Sequence, residues 1–259
     1  MLIRENATKR RLREGKTVFG IFIPFAAPDV VELCGLAGFD FIIIDAEHGP
    51  LDVSACEELV RAAEVVGVTP LVRIPTSEAS AILRLLDMGA QGIMVPHVSS
   101  KKDAQRAVDL VKYPPIGTRG MGSMRAAAYG QRVHRREWVR HSNAETLVIA
   151  MLEDVEGVEN VPEILTVPHI DWFEIGTGDL SLSMGFPGET SRPEVQAAVD
   201  RIVSLVLAAG GVLGDTANDP ETAKGFVRRG YRAINCSLAN IVTKAMRDLV
   251  DGMRAAAPK

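Results

Sequence analysis

The chain has 259 residues, 47% of them hydrophobic and 24% charged, with a net charge of −4. That is enough apolar material for one large core, and the mixed charges include no basic block on which a nucleic acid could settle. No stretch approaches the ~20 apolar residues of a membrane span, and the opening MLIRENATKRRLREG lacks an apolar signal core. These features predict a soluble, cytoplasmic protein with small-molecule partners, no nucleic acid and no membrane. Cys34, Cys56 and Cys236 are far apart, with no CxxC and no histidine at zinc-ligand spacing, so free thiols in a reducing compartment are expected.

A charged helix from Glu5 to Glu14 opens the chain, and TVFGIFIPF behind it is a buried strand. PDVVELCGLAG then has helical spacing, with Gly38 as its stop. The alternation repeats. FDFIII is a strand running into DAEHGP, LDVSACEELVRAAEVVG a helix, TPLVRIP a strand, SEASAILRLLDMG a helix opened by Ser77, and QGIMVPHV a strand. SSKKDAQRAVDLVKY is a helix, and the connection PPIGTRGMGSMRAAAYGQRVHRREWVRHSNAE contains a short one. LVIAML and DWFEI are strands joined by the helix VENVPEIL, with Gly176-Thr177-Gly178-Asp179 read as a turn. RPEVQAAVDRIVSLVLAAG, GVLGDTA, DPETAKGFVRRG and RAINCSL complete the pattern. About eight strand–helix pairs in one uninterrupted chain, at a length typical of ~250 residues, predict a single α/β domain over residues 1–259, a (β/α)8 TIM barrel. The last helix carries Leu238, Ile241, Val242, Ala245, Met246, Leu249, Val250 and Met253 at spacings of three and four, a wide apolar face that pattern alone would pack on its own barrel.

Barrel active sites sit at the C-terminal ends of the strands. The polar residues there are Asp45, Glu47 and His48 after strand two, Arg73 after strand three, His97 after strand four, Glu153 after strand five and Asp179 after strand six. Glu153 and Asp179 close two neighbouring parallel strands, so both carboxylates arrive at one end of the sheet. A hard divalent cation completed by substrate and water suits such a pair; a helix-capping Asp179 beside a solvated Glu153 is the alternative. A cation, an arginine and a histidine on one mouth are suited to an enolate: a divalent cation and a guanidinium hold the oxygen anion while a histidine or a metal-bound water moves a proton. Gly117 to Gly122 follows a Pro-Pro rather than a strand and is no dinucleotide fingerprint, whereas backbone N–H groups of the 176–181 turn could hold a carboxylate.

GFDFIIIDAEHGP, LVRIP, LLDMGAQGIMVPHV, YPPIGTRGMG, LEDVEGVENVPEIL and EIGTGDLSLSMGFPG together resemble the class II pyruvate-dependent aldolases, the family of 4-hydroxy-2-oxoheptanedioate, 2-dehydro-3-deoxyglucarate and 2-keto-3-deoxy-L-rhamnonate aldolases. The likeness runs in order along nearly the whole chain. It implies reversible aldol cleavage of a 4-hydroxy-2-oxo acid to pyruvate, or a close analogue such as hydroxypyruvate, and an aldehyde. It implies Glu153 and Asp179 as ligands of Mg²⁺, Mn²⁺ or Co²⁺, and Arg73 as the residue on the enolate oxygen. His48 would be the histidine working with an acid, by match Asp87, with Asp45 in the same motif; Gly178 and Asp179 would offer N–H groups to the keto-acid carboxylate. It further implies a last helix exchanged with a neighbouring subunit in a homohexamer, a trimer of dimers, against the reading from pattern. The chain departs from the family at Met151, where glutamine is common, and at Gly-Thr-Gly-Asp, where Gly-Pro-x-Asp is common, which leaves the donor acid least defined. His97 in VPHV resembles the branch containing macrophomate synthase, so oxaloacetate decarboxylation to the same enolate is the alternative chemistry. A barrel that binds a keto acid or phosphate without turning it over is the non-enzymatic one, disfavoured by the presence of the metal pair, Arg73 and His48 together.

Overall fold

The computed structural model describes residues 4–75 and 79–256, which leaves the expected helix start at Ser77 outside the described residues. Among the described residues, eight parallel strands close into a barrel in sequence order. They are β1 (Val18–Ile23), β2 (Phe41–Asp45), β3 (Thr69–Arg73), β4 (Gly92–Val95), β5 (Leu147–Leu152), β6 (Trp172–Ile175), β7 (Leu213–Thr216) and β8 (Ala233–Ser237), and β8 pairs back to β1. Parallel neighbours need a crossover, which helices supply. In order these are α2 (Pro28–Leu36), α3 (Val53–Val66), α4 (Ala79–Met88), α5 (Lys101–Val111) with α6 (Arg135–Glu145), α7 (Val155–Ile164), α8 (Thr177–Ser183) with α9 (Pro193–Ala208), and α10 (Pro220–Arg228). The expected TIM barrel is what forms, with α1 (Ala7–Arg13) before it and α11 (Leu238–Ala256) after it.

Strand alternation divides the apolar residues into two sets. On β5, Val148, Ala150 and Leu152 face the helices, while Leu147, Ile149 and Met151 face inward with Phe41, Leu71 and Trp172. The rings of Phe41 and Trp172, with centroids 5.4 Å apart, fill the lower interior. Below them α1 plugs the N-terminal end of the barrel. Lys9 pairs with Asp171 at 2.8 Å, and the Thr8 hydroxyl donates to the Asp40 carbonyl at 3.0 Å.

Caps account for most boundary differences from the sequence reading. The Asn6 side chain accepts from the Lys9 N–H at 2.9 Å, so α1 begins at Ala7. The Asp154 side chain accepts from the Gly157 N–H at 2.6 Å and starts α7 ahead of VENVPEIL. The long connection holds an 11-residue α6, longer than expected, after a 3-10 turn at Arg125–Gly130. The expected turn at Gly176 is the entry to the short helix α8.

The last helix corrects the reading from pattern alone. Leu238 and Val242 touch the barrel, but Met246, Leu249, Val250 and Met253 are exposed. Beside its base lies an apolar crevice of about 640 Å³, bounded by Phe19, Phe39, Ala223, Val227, Ile234 and Ile241.

Candidate active site

Asp45 and Arg73 are cross-strand partners at the C-terminal ends of β2 and β3, and their side chains meet in the barrel mouth. Arg73 donates from Nε to Asp45 Oδ1 at 2.9 Å and from Nη2 to Oδ2 at 2.7 Å, a two-point contact that fixes the guanidinium plane. Glu47 Oε2 lies 3.3 Å from Nε, and the guanidinium carbon sits 4.9 Å from the centroid of the Phe22 ring. Burial alone would raise the Asp45 carboxyl, but the Arg73 bonds and charge, with the backbone N–H groups of His48 and Glu47, hold it below its ordinary range. The Arg73 guanidinium is correspondingly held charged: burial works against the cation, and Asp45 outweighs it. Glu47 goes the other way, pushed up by burial despite the nearby Arg73. Neither acid caps the next helix, because the α3 cap is Asp52.

Glu153 stands just past β5 and is 2% exposed. Its Oε1 accepts from the His97 N–H at 2.7 Å and lies 3.4 Å from His97 Nδ1. His97 has φ +51°, a conformation uncommon for a non-glycine residue, and the N–H it presents to Glu153 is what that backbone turn provides. Gly176 must lack a side chain, since a Cβ there would collide with Glu153 Oε2. Burial raises the Glu153 carboxyl, His97 opposes the rise, and the charge of Asp179 adds to it. The two acids are thus close enough to repel, which a cation between them would reverse. Asp179 lies in the first turn of α8 with Thr177 and Gly178, whose N–H groups have no intrahelical acceptor. Among the described residues no cluster of three or more His, Cys, Asp or Glu could hold a metal. The chemistry of the pair still fits a hard divalent ion: two carboxylate oxygens from the protein, the remainder from keto acid and water. The cavity in front of them is about 1050 Å³, bounded in part by Phe22, Asp45, Arg73, Met151 and Asp179.

The structure therefore brings Asp45, Arg73, Met151, Glu153, Gly178 and Asp179 to one mouth, and two expected residues stand apart. His48 is on the loop after β2 with its side chain 64% exposed and its Nε2 3.9 Å from Glu47 Oε2. Asp87 is near the C-terminal end of α4, which runs back toward the N-terminal end of the barrel, and it binds Arg119 at 2.8 Å. Within one chain the expected His48–Asp87 pair is not made, because a helix antiparallel to the strands delivers its last turn to the closed end. Sequence reasoning also passed over Glu174 and Asn235, joined in the interior below Arg73 by a 2.7 Å hydrogen bond. The available signal was an acid at an inward-facing place in the apolar run DWFEI, two residues from Trp172.

A parallel barrel whose open mouth sets an immobilised guanidinium among buried carboxylates is of the class of enzymes suited to stabilising a small enolate-like anion. Residues 18–240 match the HpcH/HpaI aldolase/citrate lyase family. The chain is 36% identical to a hydroxypyruvate/pyruvate aldolase of Paraburkholderia phytofirmans over 236 residues, 88% of this chain and 90% of that protein. It is 34% identical to a 4-hydroxy-2-oxo-heptane-1,7-dioate aldolase of Shigella sonnei, across 87% of this chain and 86% of the relative. Among solved structures, an HpcH/HpaI aldolase/citrate lyase family protein from Burkholderia cenocepacia superimposes with a TM-score of 0.90 at 32% identity, covering 96% of this chain and 99% of the other. The chain belongs to the HpcH/HpaI aldolase/citrate lyase family.

Proposed function

We propose that the chain is a metal-dependent aldolase that reversibly cleaves 4-hydroxy-2-oxo acids to pyruvate or hydroxypyruvate and an aldehyde. The observation that carries this reading is Arg73, locked by Asp45 and facing the same cavity as Asp179. Glu153 and Asp179 would hold a divalent ion such as Mg²⁺, Mn²⁺ or Co²⁺, which would supply Lewis acidity to the bound keto acid. Arg73 donates to the C2 oxygen, whose negative charge grows as the C3–C4 bond breaks and its electron pair moves into the enolate. Gly178 and Asp179 hold the carboxylate through their N–H groups, and Met151 packs beside the donor. The C4 hydroxyl proton would pass to a water on the ion as the aldehyde leaves, and His48, exposed at the rim, is the histidine that would assist this transfer. The test is aldehyde-dependent consumption of pyruvate or hydroxypyruvate by the metal-supplemented protein; binding of keto acid without turnover would leave a binding barrel instead. Oxaloacetate decarboxylation is the second reading; it rests on the likeness of VPHV, with His97, to the branch containing macrophomate synthase, and it uses the same enolate.

The same reading makes the active unit an oligomer, a homohexamer built as a trimer of dimers. The exposed face Met246, Leu249, Val250 and Met253 fits an exchanged α11, and the apolar crevice beside β8 fits the same helix from a second copy. His48 and Asp87 lie toward opposite ends of one barrel, so if they work together they do so across subunits. Mixing inactive His48→Ala chains with inactive Asp87→Asn chains should then restore activity on reassembly; no restoration would remove Asp87 from the mechanism. The free thiols of Cys34, Cys56 and Cys236 suit a reducing cytoplasm.

A further inference from the structure

Below Arg73 the barrel holds a second acid that the reaction above does not use. Glu174 is 1% exposed and points inward from β6, beside Met151 on β5 and Gly214 on β7. Trp172 Nε1 donates to its Oε2 at 3.2 Å and Asn235 Nδ2 to its Oε1 at 2.7 Å; Asn235 Oδ1 accepts from the Thr216 hydroxyl at 2.7 Å. The glycine at 214 clears this seat, for a Cβ there would collide with Oε2. Burial, reinforced by the charge of Asp215, pushes the Glu174 carboxyl up to about 8, so near neutral pH it carries a proton. An indole N–H is only a donor, and Asn235 turns its Nδ2 toward Glu174 and its Oδ1 away, toward Thr216. The acid O–H therefore has neither of these neighbours to donate to, and Glu174 borders the same cavity as Phe22, Arg73 and Met151. An unmatched buried donor is costly, and a ligand oxygen at this place would remove that cost.

We propose that Glu174 is a specificity-determining residue of the donor pocket, its carboxyl hydrogen-bonding a hydroxyl on C3 of the keto acid so that a 3-hydroxylated donor is preferred over pyruvate. The proposal rests on the aldolase reading. There, the α8 N–H groups engage the C1 carboxylate and Arg73 engages the C2 oxygen, which leaves the C3 substituent as the part of the donor still unmatched. Phe22 offers that substituent only a ring, and Met151 a thioether that accepts weakly and cannot donate. A carboxylic acid can do both for a hydroxyl, and it can do neither for a methyl group.

The experiment compares kcat/KM for hydroxypyruvate and for pyruvate, with one common aldehyde, in wild type, Glu174→Met and Glu174→Gln. Methionine is close to glutamate in length and removes both hydrogen-bonding functions. The hydroxypyruvate-to-pyruvate ratio should fall by ~10-fold or more in Glu174→Met, the loss expected for one buried hydrogen bond. Glu174→Gln retains a donor and an acceptor once Asn235 turns its amide over, and should bring the ratio back to within ~3-fold of wild type. An unchanged ratio in Glu174→Met overturns the proposal. So does a wild-type protein that uses hydroxypyruvate no better than pyruvate, a result that stands even if the methionine variant fails to fold. Wild type inactive toward both donors would instead refute the aldolase reading.

Discussion

Replacing Arg73 by lysine separates charge from geometry at the centre of the site. The guanidinium spends Nε and Nη2 on Asp45, at 2.9 and 2.7 Å, and still borders the cavity. A lysine ammonium is a single point that cannot serve Asp45 in two places and reach the substrate oxygen as well. Asp45 is buried and charged, so its demand is met first and the enolate loses a charge-assisted hydrogen bond, worth roughly 1.5–3 kcal/mol. At about 1.4 kcal/mol per tenfold, kcat/KM should drop by ~10- to 150-fold. The cation at the pair is retained, so the melting temperature should change far less than the activity. Pyruvate release from a 4-hydroxy-2-oxo acid and decarboxylation of oxaloacetate, each read through a pyruvate-consuming coupled enzyme, should fall together because both pass through one enolate. The reasoning fails if Arg73→Lys keeps activity within ~3-fold of wild type, or if one reaction falls while the other survives.

Exhaustive chelation should abolish activity and Mg²⁺, Mn²⁺ or Co²⁺ restore it; full activity after chelation, or inactivation by borohydride in the presence of substrate, would indicate a lysine Schiff base instead. Asp45→Asn leaves a buried guanidinium short of its counter-charge, an error of roughly 3–5 kcal/mol at most, since Glu47 at 3.3 Å replaces part of it. Because the folded Asp45 carboxyl is held below its unfolded value of about 3.9, the stability it contributes is present above that pH and disappears as pH falls through the folded value. Denaturant titrations should therefore show wild type more stable than Asp45→Asn at neutral pH, with the gap closing below about pH 4; a gap independent of pH would contradict the depressed carboxyl. Met151→Gln should alter the hydroxypyruvate-to-pyruvate ratio with little change in metal affinity, because residue 151 borders the cavity beside Glu174 but does not touch Asp179 through any observed bond. An unaltered ratio would make Met151 purely a packing residue of the inner cluster to which it also belongs.

The barrel was readable because each strand is a short apolar run and each helix a longer amphipathic one, and the mouth because polar residues mark the places where those runs stop. Asp45, Arg73 and Glu153 are of this kind. Their pairing was not readable, since a register that sets Asp45 opposite Arg73 is a property of two strands and not of either segment. Glu174 was obscured for a related reason. In DWFEI an acid at an alternate position could face solvent at a helix end or the barrel axis, and only closure of the ring, with Gly214 opposite and Asn235 beyond, selects the axis.

His97 and α11 mark two further limits, and they differ in kind. The positive φ of His97 has no glycine or asparagine to announce it; it follows from the position of a buried carboxylate 56 residues later in the chain, whose Oε1 takes the His97 N–H. Such a turn is a consequence of tertiary structure within the chain, so folding one copy is enough to reveal it. The apolar face of α11 is different, because burying it on its own barrel and burying it on another copy demand the same spacing of three and four. With the helix leaving the barrel after Val242, its Met246, Leu249, Val250 and Met253 meet none of the described surface of their own chain, and the proposed exchange with another copy is what would cover them.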